Sequence, residues 1–326
     1  MEAFAYANPT TLQEALGLLG KTWGEADILA GGTDLLSLMK DYIHTPKRVV
    51  NIKGIKELEG IQKTAAGLRI GALVTLDELL ASADLKEYPA LLTAARGVTS
   101  PQMRNMGTVG GDLCQRPRCW YFRLGYGLLA KDKGRSLAPE GDNRYHAIFG
   151  NQGPAYFVSA SSLGPPLMAL GARVKAVSAS GSREIPLEKF FVTPQDDAGR
   201  EIDLKPDEIL TEILVPPAAE VRNATYEVRQ KQTLDWPLAT ASVALTMKGT
   251  AVASARVVLG HVAPTPWRAE AAEKALAGRV PGTTIAEKAA QAAVGDATPL
   301  SGNAYKVQLA RVAVKRALLE AAGRKG

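Results

Sequence analysis

Cysteine is nearly absent: Cys114 and Cys119 are the two thiols in 326 residues. That excludes a disulfide framework, and two thiols cannot by themselves complete a four-ligand zinc or iron–sulfur site. Histidine is also scarce, and His44, His146 and His261 lie far apart, so each reads as an ordinary buried or surface residue and no metal site is expected. No stretch is apolar for long enough to span a bilayer, and Met1-Glu2-Ala3-Phe4-Ala5-Tyr6 lacks the basic region and long apolar run of a signal peptide. The expectation is a cytoplasmic chain, or a periplasmic one if it is exported with a partner carrying the signal. Charge of one sign is lacking too. The net charge of +6 is modest for this length, and Lys and Arg are scattered among acids with no aromatic-interleaved stripe, so no nucleic-acid partner is expected.

Apolar residues, at 46%, are plentiful enough for a sizeable core and for two or three domains. The chain is organised around Ile28-Leu29-Ala30-Gly31-Gly32-Thr33-Asp34-Leu35-Leu36, where an apolar run stops at a glycine pair and restarts with helical spacing. This predicts strand, tight turn and helix. Two glycines admit positive φ and close approach of a ligand to the main chain, and the helix start adds free N–H groups, which together make an anion seat. The plainer reading is turn chemistry, with Thr33 or Asp34 as N-cap. The stretch is neither the spaced three-glycine dinucleotide fingerprint nor a nucleotide-triphosphate loop.

Around it, residues 3 to 6 read as a strand. Thr11-x-x-Glu14 is a capping box before a helix, and Arg48 to Ile52 is a further strand, so the first unit is a small, largely parallel sheet covered by helices. A new unit begins near Gly54, with a strand at Leu68 to Ala72, a second capping box at Thr75-x-x-Glu78 and a helix from Pro89 to Arg96. Next comes Thr108-Val109-Gly110-Gly111-Asp112-Leu113, whose glycines suit a loop with its backbone amides facing a ligand, or a sharp bend at a sheet edge. After the Pro216-Pro217 linker, strands at Thr225 to Arg229, Thr240 to Met247 and Ala255 to His261 precede helices around Ala269 to Leu276, Ile285 to Val294 and Ala304 to Ala322. The last helix carries Lys306, Arg311 and Lys315 on one side, read as a solvated face.

The pairing of Ala30-Gly31-Gly32-Thr33-Asp34-Leu35 with Thr108-Val109-Gly110-Gly111-Asp112-Leu113 resembles the FAD-binding medium subunit of the molybdenum hydroxylases, the xanthine dehydrogenase and aldehyde oxidoreductase family. Further resemblance lies in Cys114-Gln115-Arg116-Pro117-Arg118-Cys119-Trp120-Tyr121-Phe122-Arg123, in Arg144 to Asn151 and in Gly260 to Ala269. The resemblance implies an α+β fold: a two-subdomain FAD-binding fold of the vanillyl-alcohol-oxidase (PCMH) type plus a C-terminal domain of antiparallel sheet and helices. It places boundaries at 1–55, 56–218 and 219–326. It implies non-covalent FAD, with the pyrophosphate on main-chain N–H groups of Leu29, Ala30, Gly31, Gly32, Thr33, Asp34 and Leu35. Thr108, Gly110, Gly111 and Asp112 would complete the cradle, with the Thr108 hydroxyl as a further donor. Asp34 and Asp112 are expected to cap backbone amides, Asp112 also touching cofactor hydroxyls.

Three departures qualify that expectation. The family's run ending in an aspartate that helps hold FAD is here Ser159-Ala160-Ser161-Ser162-Leu163, with Ser162 in place of the carboxylate. Glu227 stands where a basic residue is usual, while Asp235-Trp236-Pro237-Leu238 resembles the family's loop near the flavin ring. Gly125 to Asp142 contains no cysteine, so the insertion that holds a four-iron cluster in the aldehyde-oxidoreductase branch is expected here without one.

The function so implied is electron transfer within a multi-subunit molybdenum hydroxylase. FAD would pass electrons from the two-iron clusters of a small partner, fed by a large molybdenum-cofactor partner, to NAD, oxygen, a quinone or a protein. No residue is assigned as a catalytic acid or base. The alternatives are a scaffold subunit that has weakened or lost FAD, and a stand-alone flavin oxidase.

Overall fold

The computed structural model describes residues 1–98, 100–231 and 235–324. The first unit is a three-stranded parallel sheet in the order Ala5–Ala7, Arg48–Asn51, Ala26–Leu29. Helices Leu12–Gly17 and Leu35–Lys40 make the crossovers. Thr11 caps the first by accepting the Glu14 N–H at 3.2 Å, but the Glu14 carboxylate reaches back to the N–H and hydroxyl of Thr10, one residue short of a true box. The second box is complete, since Thr75 and Glu78 each take the other's backbone N–H. The core of the first unit gathers Ala15, Leu16, Val50 and Ile52 with Leu73 and Ile209 of the next, so the two share apolar packing.

The central sheet is antiparallel and five-stranded, in the order Ile61–Thr64, Gly67–Gly71, Ile209–Val215, Arg173–Ser178, Gly181–Pro186. Its middle strand arrives last in sequence, which ties residues 56–71 to residues 173–215. Helices Leu76–Ala81, Pro89–Gly97 and Gly164–Ala169 pack into its core through Leu79, Leu91 and Leu167, all fully buried.

The C-terminal unit is an antiparallel sheet in the order Val221–Arg229, Pro237–Lys248, Ala251–Gly260, Trp267–Arg268. Helix Tyr305–Ala321 lies across its first two strands, and Glu270–Leu276 and Thr283–Ala293 flank it. The interface is rich in alanine, including Ala239, Ala241, Ala289, Ala313 and Ala317, which lets helix and sheet approach closely.

Between helix Val109–Cys114 and helix Gly164–Ala169 runs the inserted segment, with a short helix Trp120–Arg123 and a two-residue hairpin. Buried amides tie it to the C-terminal unit. Asn143 donates to Ala138 O and the Ser301 hydroxyl, Asn151 donates to Thr298 O, and Asn303 donates to the carbonyls of His146 and Ala147. Lys306, expected on a solvated face, is 1% exposed. Its Nζ donates to the carbonyls of Tyr145, His146 and His261 at 3.3, 3.2 and 2.7 Å, so backbone of the segment and of the C-terminal unit together supplies its partners. Arg311 and Lys315 do face outward and pair with Glu287.

Candidate functional site

A cavity of about 200 Å³ lies between the first and central units, and both glycine stretches line it. Strand Ala26–Leu29 delivers the first stretch, and the sequence turns there because of two glycines with different duties. A Cβ on Gly31 would run into the Met106 carbonyl, so this glycine permits the turn to touch the central unit. Gly32 has φ +74, a left-handed backbone that glycine adopts without strain. None of the backbone N–H groups from Ala30 to Leu35 meets an acceptor among the described residues. A row of unpaired donors on a half-buried turn is costly unless something accepts from it.

The charge beside this turn is positive. Asp34 accepts the Arg116 N–H at 2.8 Å, and its other oxygen pairs with Arg123 at 2.8 Å and Arg118 at 3.4 Å. Two guanidiniums thus share one carboxylate, which leaves net positive potential at the turn. Asp34 does satisfy a backbone amide, although not one in its own helix: it makes no side-chain cap to Leu35–Lys40.

The second stretch differs from the expected loop. Residues Val109–Cys114 are a helical turn with Thr108 as N-cap, its hydroxyl accepting the Gly111 N–H at 3.0 Å. Val109 N–H donates to Val74 O at 2.8 Å and Gly110 N–H to Ala72 O at 2.9 Å, so these amides are spent on the central unit rather than turned toward a ligand. These bonds to the end of strand Gly67–Gly71 override the poor helix propensity of the glycine pair. Gly110 instead lets the turn pack closely on the central unit. A Cβ on Gly110 would stand 2.9 Å from both the Cβ and the carbonyl of Ala72, and one on Gly111 would meet only the Thr108 hydroxyl.

Of the expected site residues, Ala30, Gly31, Gly32, Thr33, Asp34, Leu35, Thr108, Gly110 and Gly111 line the cavity. Leu29, Asp112 and Ser162 do not. Leu29 ends its strand and gives its carbonyl to Ile52 N–H. Asp112 is 8% exposed, and its carboxylate accepts from the Ser161 hydroxyl, the N–H groups of Ser162 and Leu163, and Gln115 Nε2. Each of its oxygens thus accepts two bonds from within the protein, the backbone amides of Ser162 and Leu163 among them. Burial raises its pKa while the Ser161, Leu163 and Ser162 bonds oppose the rise. Ser162 is 2% exposed and contributes its N–H to this knot. Glu227, the other departure, is buried against Arg229, with Oε1 unpartnered among the described residues. Arg118 lays its guanidinium over Trp236 at 4.6 Å.

Sequence reasoning missed the cluster on the cavity's other wall. His44 Nδ1 lies 2.6 Å from Asp27 Oδ2, while its Nε2 faces Arg116 at 2.9 Å and Arg200 at 3.2 Å. With two guanidinium donors on Nε2, that nitrogen is the acceptor and Nδ1–H donates to Asp27. Arg116 also pairs with buried Glu201 at 2.9 Å, and Arg200 covers Trp23 at 4.3 Å. Residues from positions 23 to 201 meet here, and no local spacing announces such a set. Cys114 lines the cavity too, but burial pushes its thiol up to about 12, so it is a packing residue there. Among the described residues no group of three or more His, Cys, Asp or Glu side chains is placed to hold a metal.

These features suit a diphosphate: free main-chain donors with net positive charge beside them. Comparison with known proteins points the same way. The pattern described as the FAD binding domain in molybdopterin dehydrogenase matches residues 2–218, and that of the CO dehydrogenase flavoprotein C-terminal domain matches residues 224–321. The chain is 32% identical to the aldehyde oxidoreductase FAD-binding subunit PaoB of Escherichia coli, over 98% of this chain and 99% of that one. It is 30% identical to the carbon monoxide dehydrogenase medium chain of Hydrogenophaga pseudoflava, over 97% and 96% of the two chains. A solved structure of carbon monoxide dehydrogenase from Hydrogenophaga pseudoflava superposes with a TM-score of 0.78 at 30% identity, covering 100% of this chain and 99% of that one. The α+β architecture is therefore the two-subdomain FAD-binding fold of the vanillyl-alcohol-oxidase type with an antiparallel C-terminal domain. On sequence and fold together, this chain belongs to the family of FAD-binding domains of molybdopterin dehydrogenases, joined to a CO dehydrogenase flavoprotein C-terminal domain.

Proposed function

We propose that the chain is the FAD-binding medium subunit of a molybdenum hydroxylase assembly, working as an electron-transfer component. The observation that carries this reading is the run of unpaired N–H groups from Ala30 to Leu35 in a cavity shared by both glycine stretches. In this reading Ala30 to Leu35 hold the pyrophosphate of non-covalent FAD, Arg118 and Arg123 supply positive potential through Asp34, and Gly110 lets the turn that lines the cleft pack closely on the central unit. The flavin supplies the ability to store two electrons and to exchange them singly or in pairs. The chain's own residues bind, orient and shield it, and none acts as a substrate acid or base.

Relatives named as a medium chain and an FAD-binding subunit support a small and a large partner; in this reading the small one carries two-iron clusters and the large one the molybdenum cofactor. The acceptor is NAD, oxygen, a quinone or a protein. The units proposed are 1–55, 56–218 and 219–326, which the matched ranges 2–218 and 224–321 support. The rival reading, a scaffold that has lost FAD, draws on Ser162 and Glu227, where a carboxylate and a base are replaced. Flavin content of Gly32→Val and Gly110→Val separates the two. Both variants should purify colourless beside a yellow parent, and retained stoichiometric FAD in both would refute the placement of the site.

A further inference from the structure

One excursion of the chain reaches across the cleft between the first and central units. The backbone leaves the central unit after Phe191 and returns at Ile202, where the two residues bridge. Val192 N–H donates to Glu201 O at 2.9 Å and Asp203 N–H to Phe190 O at 2.7 Å, which zips the ends together. The base is braced further by Arg183 of strand Gly181–Pro186, which pairs with Asp203 and with Glu208, each at 2.8 Å. The tip has no such support. Residues 192 to 201 add no side chain to the apolar cores, and Gln195 to Ala198 are exposed.

Polar contacts hold the tip in place. Arg200 donates to His44 Nε2 at 3.2 Å, pairs with Asp27 at 3.6 Å and covers the Trp23 ring at 4.3 Å, and all three partners belong to the first unit. Asp197 accepts the Leu129 N–H of the inserted segment at 2.7 Å, and Glu201 pairs with Arg116 at 2.9 Å. Arg200 and its three partners all line the cleft, so these contacts run from one wall to the other. A segment held by a few polar contacts, without apolar anchors, opens locally at far less cost than the core it leaves.

We propose that residues 192–201 are a strap that gates the cleft, with Arg200 as its latch on Trp23, Asp27 and His44, and that FAD enters and leaves only when the latch opens. The inference rests on the FAD reading for its ligand. Arg118 joins Asp34 of the glycine turn to Trp236, in the loop that resembles the family's loop near the flavin ring, which assigns the flavin end of an extended cofactor to that side. The adenosine end is left to the part of the cleft beside Arg200.

Cys114 reports opening without any flavin. It lines the cleft, and burial pushes its thiol up to about 12, which leaves it unreactive in the closed form. Cys119 lies outside the cleft and reports general loosening. The flavin-free full-length chain is alkylated with iodoacetamide, and the two thiols are counted separately by peptide mass. Arg200→Met, which keeps a long side chain but removes the charge, should speed alkylation of Cys114 about tenfold or more and that of Cys119 less than about twofold. Asp197→Ala releases the other anchor at an exposed position where little packing is lost, and should speed Cys114 about threefold or more. Equal acceleration at both thiols, or none at Cys114 in either variant, overturns the strap. When FAD is added, stopped-flow flavin fluorescence should show Arg200→Met raising association and dissociation rates together, about fivefold or more, with affinity changed less than about threefold, because a gate is crossed in both directions. Faster dissociation at an unchanged association rate would make Arg200 a cofactor contact and overturn the gate. A chain whose Cys114 responds as expected but which never binds FAD upholds the strap and refutes the cofactor reading instead.

Discussion

Gly31 and Gly111 are both glycines beside the cleft, yet a methyl group has different consequences at each. At Gly31 it meets the rigid Met106 carbonyl, and at Gly111 only the Thr108 hydroxyl at 2.9 Å. Gly31→Ala should therefore cost about 2 kcal/mol or more in urea unfolding and lose flavin, while Gly111→Ala should cost less than about 1 kcal/mol. Asp112 makes the complementary case. Asp112→Asn places an amide N–H₂ among donors that now share a carboxylate, and about 2 kcal/mol of stability should be lost. Because Asp112 does not line the cleft, FAD affinity of the folded variant should change less than threefold by equilibrium titration. A much larger loss of affinity at full stability would establish Asp112 as a cofactor contact.

At the scale of elements, the helix Val109–Cys114 depends on its cap and on two bonds to the central unit. Thr108→Val removes the cap while keeping the volume, and about 1 kcal/mol should be lost from the urea midpoint, with weaker FAD binding as the turn frays. Unchanged stability would mean that the Val74 and Ala72 bonds suffice. This helix also marks a limit of local reading. The first glycine turn was legible because strand, glycine pair and helix follow one another within ten residues. The Thr75 capping box was legible because both partners lie three apart. The second stretch was not, because the acceptors that make it helical belong to Ala72 and Val74, a tertiary arrangement that no propensity encodes. Strand Ile61–Thr64 was missed for a related reason: it is an edge strand, and three of its four residues are exposed, so alternation is faint.

For the whole molecule, the inserted segment and the C-terminal unit behave as one body through Asn143, Asn151, Asn303 and Lys306. Read locally, Lys306 was one cation among three on a helix. Its burial follows from carbonyls at positions 145, 146 and 261, which only the assembled chain supplies. His146 and His261 give this region a pH signature. Folded, they titrate at about 4 and about 3, whereas in the unfolded chain they titrate near 6.5. Below pH 6.5 the unfolded state takes up protons that the folded state refuses, so stability falls with pH, down to about 4 for one histidine and about 3 for the other. Between pH 7 and pH 5 each should cost on the order of 2 kcal/mol. His261→Gln should lose less stability than the parent over that interval in paired urea titrations, and an identical loss would show that this histidine is not buried neutral.

The family, the fold and the two glycine stretches all converge on one cofactor, and the most direct measurement is the visible spectrum of the purified full-length chain with flavin counted after acid release. The account predicts about one non-covalent FAD per chain, with flavin bands and no iron–sulfur shoulder. A colourless chain that stays colourless when offered FAD would contradict it, and would leave the unpaired N–H groups from Ala30 to Leu35 without their acceptor.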